Sequence, residues 1–360
     1  MKRKWSMRAY KEGDEEGILE LWKAVYPERE YDREKWLRWW QWMYKDNPAG
    51  PGRIWLAEHD SKIVGQYAIV PVKVKIANKT ILGSQSLDTM THPDYRHQKI
   101  FETLAIKVYN EAEEDGIHIV YGFPGQFSYP GFIKKLNWFD VAAMKVMFKP
   151  LNWRNAIKLK IKNEFLQVVL AMGASWVFTK VFLGTRRPPF IESLNIKQVI
   201  SFDDRINDLW AKISNQYHIM IVRDKDYLNW RYNAPGANYS IFIAEKVGEI
   251  CGYLVLENKL QGGIKVSHIF DLTAQSEEIM RCLVSKSIDD CQQKKVDLIV
   301  YRLRANKTYQ RILRRSGFIS LPFLKGGRLC AYVSSEFTSF KESVRNSQNW
   351  LVQLGDSDEV

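Results

Sequence analysis

Short alternating or apolar runs, separated by charged turns, run through most of the chain and switch at intervals to a helical period. Met7 to Tyr10 reads as an opening strand, and Ile18, Leu21, Trp22 and Val25 then fall on one helical face. The Trp-rich stretch 36–44 predicts a second helix, ended by Pro48 and Gly50. IWLAEHD and IVGQYAIV flank Asp60-Ser61-Lys62 as a hairpin whose second strand runs on to Ile76. Asn78 turns the chain into a strand from Thr80 to Met90. A helix (Ile100 to Glu114), a strand (Ile117 to Gly122), a short helix (Tyr129 to Leu136) and a last strand (Trp138 to Phe148) follow.

The same order then repeats. Trp42-Met43-Tyr44 returns as Trp230-Arg231-Tyr232, Leu87-Asp88 as Phe270-Asp271, and Gln126-Phe127-Ser128-Tyr129 as Asn306-Lys307-Thr308-Tyr309. The offset drifts from 188 to 183 to 180 residues in unchanged order, as duplication with small insertions would leave it. The division expected is 1–150, a helical connector 151–190, a second unit 191–335 and a tail 336–360. Antiparallel strands followed by a strand–helix–strand–helix–strand run predict an α+β class with α/β/α layers, each unit a mixed, mostly antiparallel sheet flanked by helices.

A chain of 360 residues suits two domains, and 46% hydrophobic residues can fill their cores. The formal charge of +12 attracts anions, yet no nucleic-acid motif accompanies it, so a basic solubility surface is the simpler reading. Cys251, Cys282, Cys291 and Cys330 show no CxxC spacing, which argues against a zinc site or disulfide framework and suits a reducing, cytoplasmic setting; no metal is expected. MKRKWSMRAY lacks the apolar run of a signal peptide. Phe165 to Gly184 is nearly apolar, but Gln167, Ser175, Thr179 and Lys180 interrupt it. A buried interdomain helix is expected rather than a membrane span, with peripheral membrane contact the alternative.

The segment SLDTMTHPDYRHQKIFETL, entering an amphipathic helix in this element order, resembles the acyl-CoA motif of the GCN5-related N-acetyltransferase (GNAT) superfamily. Two such units in one chain are also similar to tandem aminoglycoside-modifying acetyltransferases and to the aminoacyl transferases that build peptidoglycan cross-bridges. The resemblance implies acetyl-CoA as acyl donor and a small-molecule, sugar or peptide amine as acceptor, acylated by direct attack. An aminoacyl-tRNA-dependent transferase and a non-catalytic GNAT-fold binding protein are the alternatives. Backbone amides of Met90, Thr91 and His92 would hold the acyl carbonyl and pantetheine, and Arg96, His97, Gln98, Lys99, Ile100 and Phe101 would cradle the pyrophosphate. A helix start suits that role, because its unpaired N–H groups and dipole favour an anion. Lys99 and Phe101 fill positions where the family has glycine. The second copy reads LTAQSEEIMRCLV there, with Glu277 and Glu278 where phosphate would sit, so no second donor site is expected.

Transfer to an amine needs a base and an acid for the leaving thiolate. Asp88, expected to share a strand face with Met90, is the candidate base, although Asp271 repeats it and a structural role competes. Tyr129 is the candidate acid, with Tyr309 its repeat and a fold signature the competing reading. The Trp36, Trp39, Trp40 and Trp42 cluster reads as packing first and as an apolar acceptor wall second. The acidic end, Gly355 to Val360, is expected to fray, with a folded-back carboxylate as the alternative.

Overall fold

The computed structural model of the protein describes residues 4–152, 155, 188–304, 306–320 and 324–358. The predicted elements are present in order. The first half holds β1 (Ser6–Ala9), α1 (Glu15–Val25), α2 (Arg33–Tyr44), β2 (Arg53–His59), β3 (Lys62–Ile76), β4 (Lys79–Thr91), α3 (Ile100–Glu114), β5 (Ile119–Gly122), α4 (Tyr129–Lys135) and β6 (Phe139–Pro150). The second holds β7 (Leu194–Val199), α5 (Arg205–Ile213), β8 (Ile219–Ile221), α6 (Lys225–Arg231), β9 (Tyr239–Lys246), β10 (Glu249–Gln261), β11 (Ile264–Ala274), α7 (Glu277–Gln293), β12 (Leu298–Arg304), α8 (Lys307–Arg315) and β13 (Lys325–Val333).

Helices cover both faces of a mixed sheet, so the class is α+β. β3 shows why. Its residues are buried almost without alternation, because α3 packs on one face and α1 with α2 on the other. Ile100, Leu104, Ala105, Val108 and Ala112 turn the buried stripe of α3 onto that sheet. Ile18 and Leu21 do the same for α1 on the opposite side.

The strands join into one sheet instead of two. Its order is β1-β2-β3-β4-β5-β13-β6-β12-β11-β10-β9-β7, with β8 added beside β3. The last strands have changed places: β13 pairs with β5 of the first half, and β6 pairs with β12 of the second. Boundaries drawn at residues 150 and 335 therefore cut through a shared sheet. One core cluster straddles the exchange, with Val72 and Ile119 packed among Leu329, Ala331, Ile219 and Trp350.

The duplicated tryptophans meet where the two halves face each other. Trp42 stacks on Trp230 with ring centroids 4.7 Å apart, and each indole N–H donates to the other's backbone carbonyl at 2.9 and 3.0 Å. Such a stacked pair adds about 1 kcal/mol beyond its buried area. Trp40 joins the core, whereas Trp36 and Trp39 reach a cavity between the halves.

One expectation about the end of the chain changes. Residues 350–357 are not frayed: all eight are buried between the halves. The apolar stretch 165–184 lies outside the described residues. Among those described, no helix is long and apolar enough to cross a membrane.

Candidate active site

β4 and β5 run parallel but pair only at Ser84–Val120 and Gln85–Tyr121, then diverge. A bulge in β4 coincides with the split. Ala68 on β3 faces Leu87 and Gln66 faces Met90, which leaves Asp88 and Thr89 both opposite Tyr67, one residue in excess. Asp88 has φ +46°, a conformation that costs a non-glycine residue free energy and marks a place where the fold re-aims a side chain. Met90 is accordingly buried beneath α1 and α2, while Asp88 looks into open space, so the two side chains do not share a face.

That space is a cleft of about 230 Å³ between the splayed strands, walled by Ser86 to Thr89, by Gly122 to Gly125, and by Phe132 and Trp138. A Cβ on Gly122 would approach the Ser86 carbonyl to 3.1 Å, so a side chain there would narrow the cleft. The His92 amide is taken by Val64 O at 2.9 Å. Antiparallel alternation points the Met90 amide the same way and turns the Thr91 amide toward the gap. Of the three amides expected to hold substrate, Thr91 is the one so oriented.

Asp88 is half-buried and its carboxyl accepts a hydrogen bond from Tyr44 at 2.8 Å. Burial pushes its pKa up to about 6, against the lowering effects of the Tyr44 hydroxyl and the charge of Arg29. Burial also raises Tyr44 far above the usual phenol range, so it stays a donor. Tyr26, the tyrosine that lines the cleft, is raised as well, by burial first and by the charge of Asp88 next.

The loop ahead of α3 has the features of an anion cradle. His97 and Lys99 both take left-handed conformations, φ +63° and +62°, and Lys99 caps the helix without a side-chain hydrogen bond. Arg96, His97 and Lys99 are exposed, and Gln98 Oε1 is buried with no hydrogen-bond partner. Ile100 is buried in the core, and the Phe101 ring packs on Phe132 at 5.2 Å. Those two residues can offer only their amides to a ligand.

The cleft opens into a larger cavity of about 830 Å³ between the halves. Trp22, Arg29, Asp88 and Asp358 line both. Asp358 arrives on the folded-back tail, and Gln85 Nε2 stands 3.5 Å from it.

Residues 6–139 match the family model for the acetyltransferase (GNAT) domain. Over residues 6–139 the chain is a GNAT-like domain. Solved structures extend the likeness of fold to 92% of the chain. The GCN5-related N-acetyltransferase of Anabaena variabilis ATCC 29413 matches at TM-score 0.64 and 11% identity, covering 92% of this chain and 73% of its own. That of Kribbella flavida matches at 0.62 and 12%, covering 92% and 71%. Eis1 of Mycobacterium abscessus matches at 0.58 and 10%, covering 92% and 73%. A search of curated proteins returns no match.

Within the GNAT domain, Tyr129 does not line the cleft. Its hydroxyl donates to Asp140 at 2.6 Å, and Arg328 lies over its ring. Sequence reasoning missed Trp22, Tyr26, Arg29 and Tyr44. A signal for Tyr44 existed, because the Trp-x-Tyr motif repeats along with the aspartate that its tyrosine meets.

The second half repeats the GNAT split and fills it. β11 and β12 pair from Val266–Leu298 to Ile269–Tyr301 and then separate. The tail enters there: Arg304 N donates to Val352 O at 3.0 Å, and Gln353 Oε1 accepts from the Leu272 amide at 2.8 Å. Asp271 is 1% exposed and receives Tyr232, Gln353 Nε2 and Arg223 at 3.1, 2.7 and 3.1 Å. Arg223 also holds Asp356 at 3.0 Å. Arg311 pairs with Glu277 in the first turn of α7, where a phosphate would need positive potential. All four cysteines are buried and free.

Proposed function

We propose that the protein is an acetyl-CoA-dependent N-acetyltransferase acting on a primary amine by direct attack. One observation carries the reading: the GNAT cleft that suits an acyl donor opens at Asp88 into a second cavity able to hold an acceptor. The α3 amides, with Arg96 and Lys99, would bind the donor's pyrophosphate, and the Thr91 amide would steady its pantetheine arm.

Asp88 is suited to take the amine proton. A carboxyl poised near pH 6 is ionised at neutrality yet more basic than an exposed aspartate. The freed nitrogen lone pair attacks the thioester carbonyl, the C–N bond forms and the C–S bond breaks. The departing thiolate takes a proton from the neutral Tyr26 hydroxyl, which replaces Tyr129 as the candidate acid, and the phenolate left behind takes the second proton from the acylated nitrogen. Asp358 adds negative charge where the incoming ammonium must be held before it loses its proton.

Two measurements test this. Acetyl-CoA at saturation should raise the melting temperature, because it binds the folded chain alone. Arg96→Ala should weaken that binding roughly tenfold in calorimetry, an ordinary loss for one charge-assisted hydrogen bond. An unshifted melting curve, or full affinity without Arg96, would retire the donor site.

A further inference from the structure

The larger cavity carries information about its occupant beyond the acyl-transfer reading on which this step rests. Trp22, Tyr31, Trp36 and Trp39 form one wall, and the second half supplies the other through residues 235–238 and 257–261. Five carboxylates line it, Glu30, Asp32, Asp88, Glu257 and Asp358, against the cations Arg29, Lys35 and Lys259. On a chain of formal charge +12 this is a local reversal of sign.

The three cations neutralise it only partly. Arg29 lies over the Tyr26 ring at 4.5 Å, and Lys35 stands against Gly236. Lys259 comes within 2.9 Å of Glu257 Oε2. The contact is ionic without hydrogen-bond alignment, and that buried oxygen accepts no hydrogen bond. Glu257 is 3% exposed and lines the cavity, where a buried acceptor is ordinarily paired. Across the strand pair from it stands His268, whose pKa is lowered to about 3, by burial first and by the charges of Arg302 and Lys259 next. The histidine is neutral near pH 7 and adds no charge to satisfy the glutamate. Tyr239 faces Glu257 from β9 and is held protonated by burial. A buried acceptor oxygen beside an aromatic wall calls for a donor-rich cation, and an ammonium offers three N–H bonds and no lone pair.

We infer that the acceptor carries at least two amino groups, one presented to Asp88 for acylation and a second, still protonated, held by Glu257. A diamine or polyamine chain meets this chemistry. Its charged end would sit against the second half of the protein, and its reacting end would sit at the mouth of the GNAT cleft. The second half thereby reads substrate while the first performs transfer.

Calorimetric titration with 1,4-diaminobutane, spermidine and butylamine tests the inference without requiring turnover. The diamine and spermidine should bind about tenfold or more tighter than butylamine, the usual scale for one charge-assisted hydrogen bond. Glu257→Gln should erase that advantage and raise the KM for diamine by the same factor, while acetyl-CoA affinity stays as it was. Lys259→Met, a change at a partly exposed side chain, should tighten diamine binding by releasing the carboxylate. Equal binding of butylamine and diamine, or a preference that survives Glu257→Gln in a protein that melts normally, would overturn the second-amine site. Diamine binding with no acetyl-CoA binding and no thiol release would keep that site and overturn the acyl-transfer reading instead.

Discussion

Tyr44 with Asp88 and Tyr232 with Asp271 are the same pair built twice, yet they live in opposite surroundings. Asp271 is enclosed by Arg223, Gln353 and Tyr232, and the tail occupies the split beside it. Asp88 keeps the tyrosine, has no guanidinium hydrogen-bonded to it among the described residues, and faces two cavities. The difference lies in what fills the gap between two parallel strands. Where the chain's own tail fills it, the aspartate is locked in a hydrogen-bond network; where the gap is open, the same aspartate is left half-buried with its pKa raised to about 6.

The sharpest way to break this contrast is to remove the cation of the filled side. Arg223→Met would leave Asp271 and Asp356 buried without their shared partner. Losing one member of such a buried network costs about 3–5 kcal/mol. Urea denaturation should report that loss; a change below about 1 kcal/mol would mean that the tail is held by packing alone.

On the open side the loss should appear in rate. Asp88→Asn should slow turnover by about 10²- to 10³-fold, within the range of a lost general base, while acetyl-CoA affinity holds. Asp271→Asn should do the reverse, lowering stability before it touches chemistry. If both substitutions behave alike, Asp88 is a structural residue too.

The pH dependence sharpens the point. Asp88 must be ionised to act, so kcat/KM should rise tenfold per pH unit below about 6 and level off above it. Its contribution to stability runs the other way. A carboxyl whose pKa is raised on folding favours the folded state at low pH and loses that contribution as pH rises through about 6. Asp88→Asn should therefore flatten the pH–rate limb and make the folded chain more stable near pH 7. An unaltered limb in a still-active variant would place the titrating group elsewhere.

Much of this was legible in the sequence, and the reasons are specific. Helix and strand periods placed every element of the first half, because β3 and α3 bury faces whose spacing is fixed by geometry. The duplication was visible in Trp42/Trp230 and Asp88/Asp271, but not its consequence, the exchange of β6 and β13, since strand order in a sheet leaves no local pattern. The bulge at Asp88 was hidden for a related reason. Alternation predicts a common face for residues 88 and 90, and only the register against β3 shows the extra residue. Tyr26 and Arg29 come from one stretch, Asp88 from a second and Glu257 from a third, and nothing in the chain order brings them together. The tail misled because acidic, polar ends usually fray; Arg223, buried and far away in sequence, is what draws this one in.

The smallest effect tests the loop that the first half has and the second lacks. Lys99 holds φ +62° without a side-chain hydrogen bond at the cap, a conformation that glycine adopts freely. Lys99→Gly removes strain from the folded state but adds freedom to the unfolded chain, so the net gain in stability should be at most about 1 kcal/mol. Its effect on donor affinity separates two uses of the lysine. If the side chain merely stands beside the cradle, acetyl-CoA should bind equally well or better, and the salt dependence of binding should not change. If its ammonium contacts the pyrophosphate, affinity should fall and binding should become less sensitive to salt, because one fewer charge takes part. The same substitution at Glu277, where the second half starts α7, should create no affinity for acetyl-CoA, since Gln353 still occupies the split behind it.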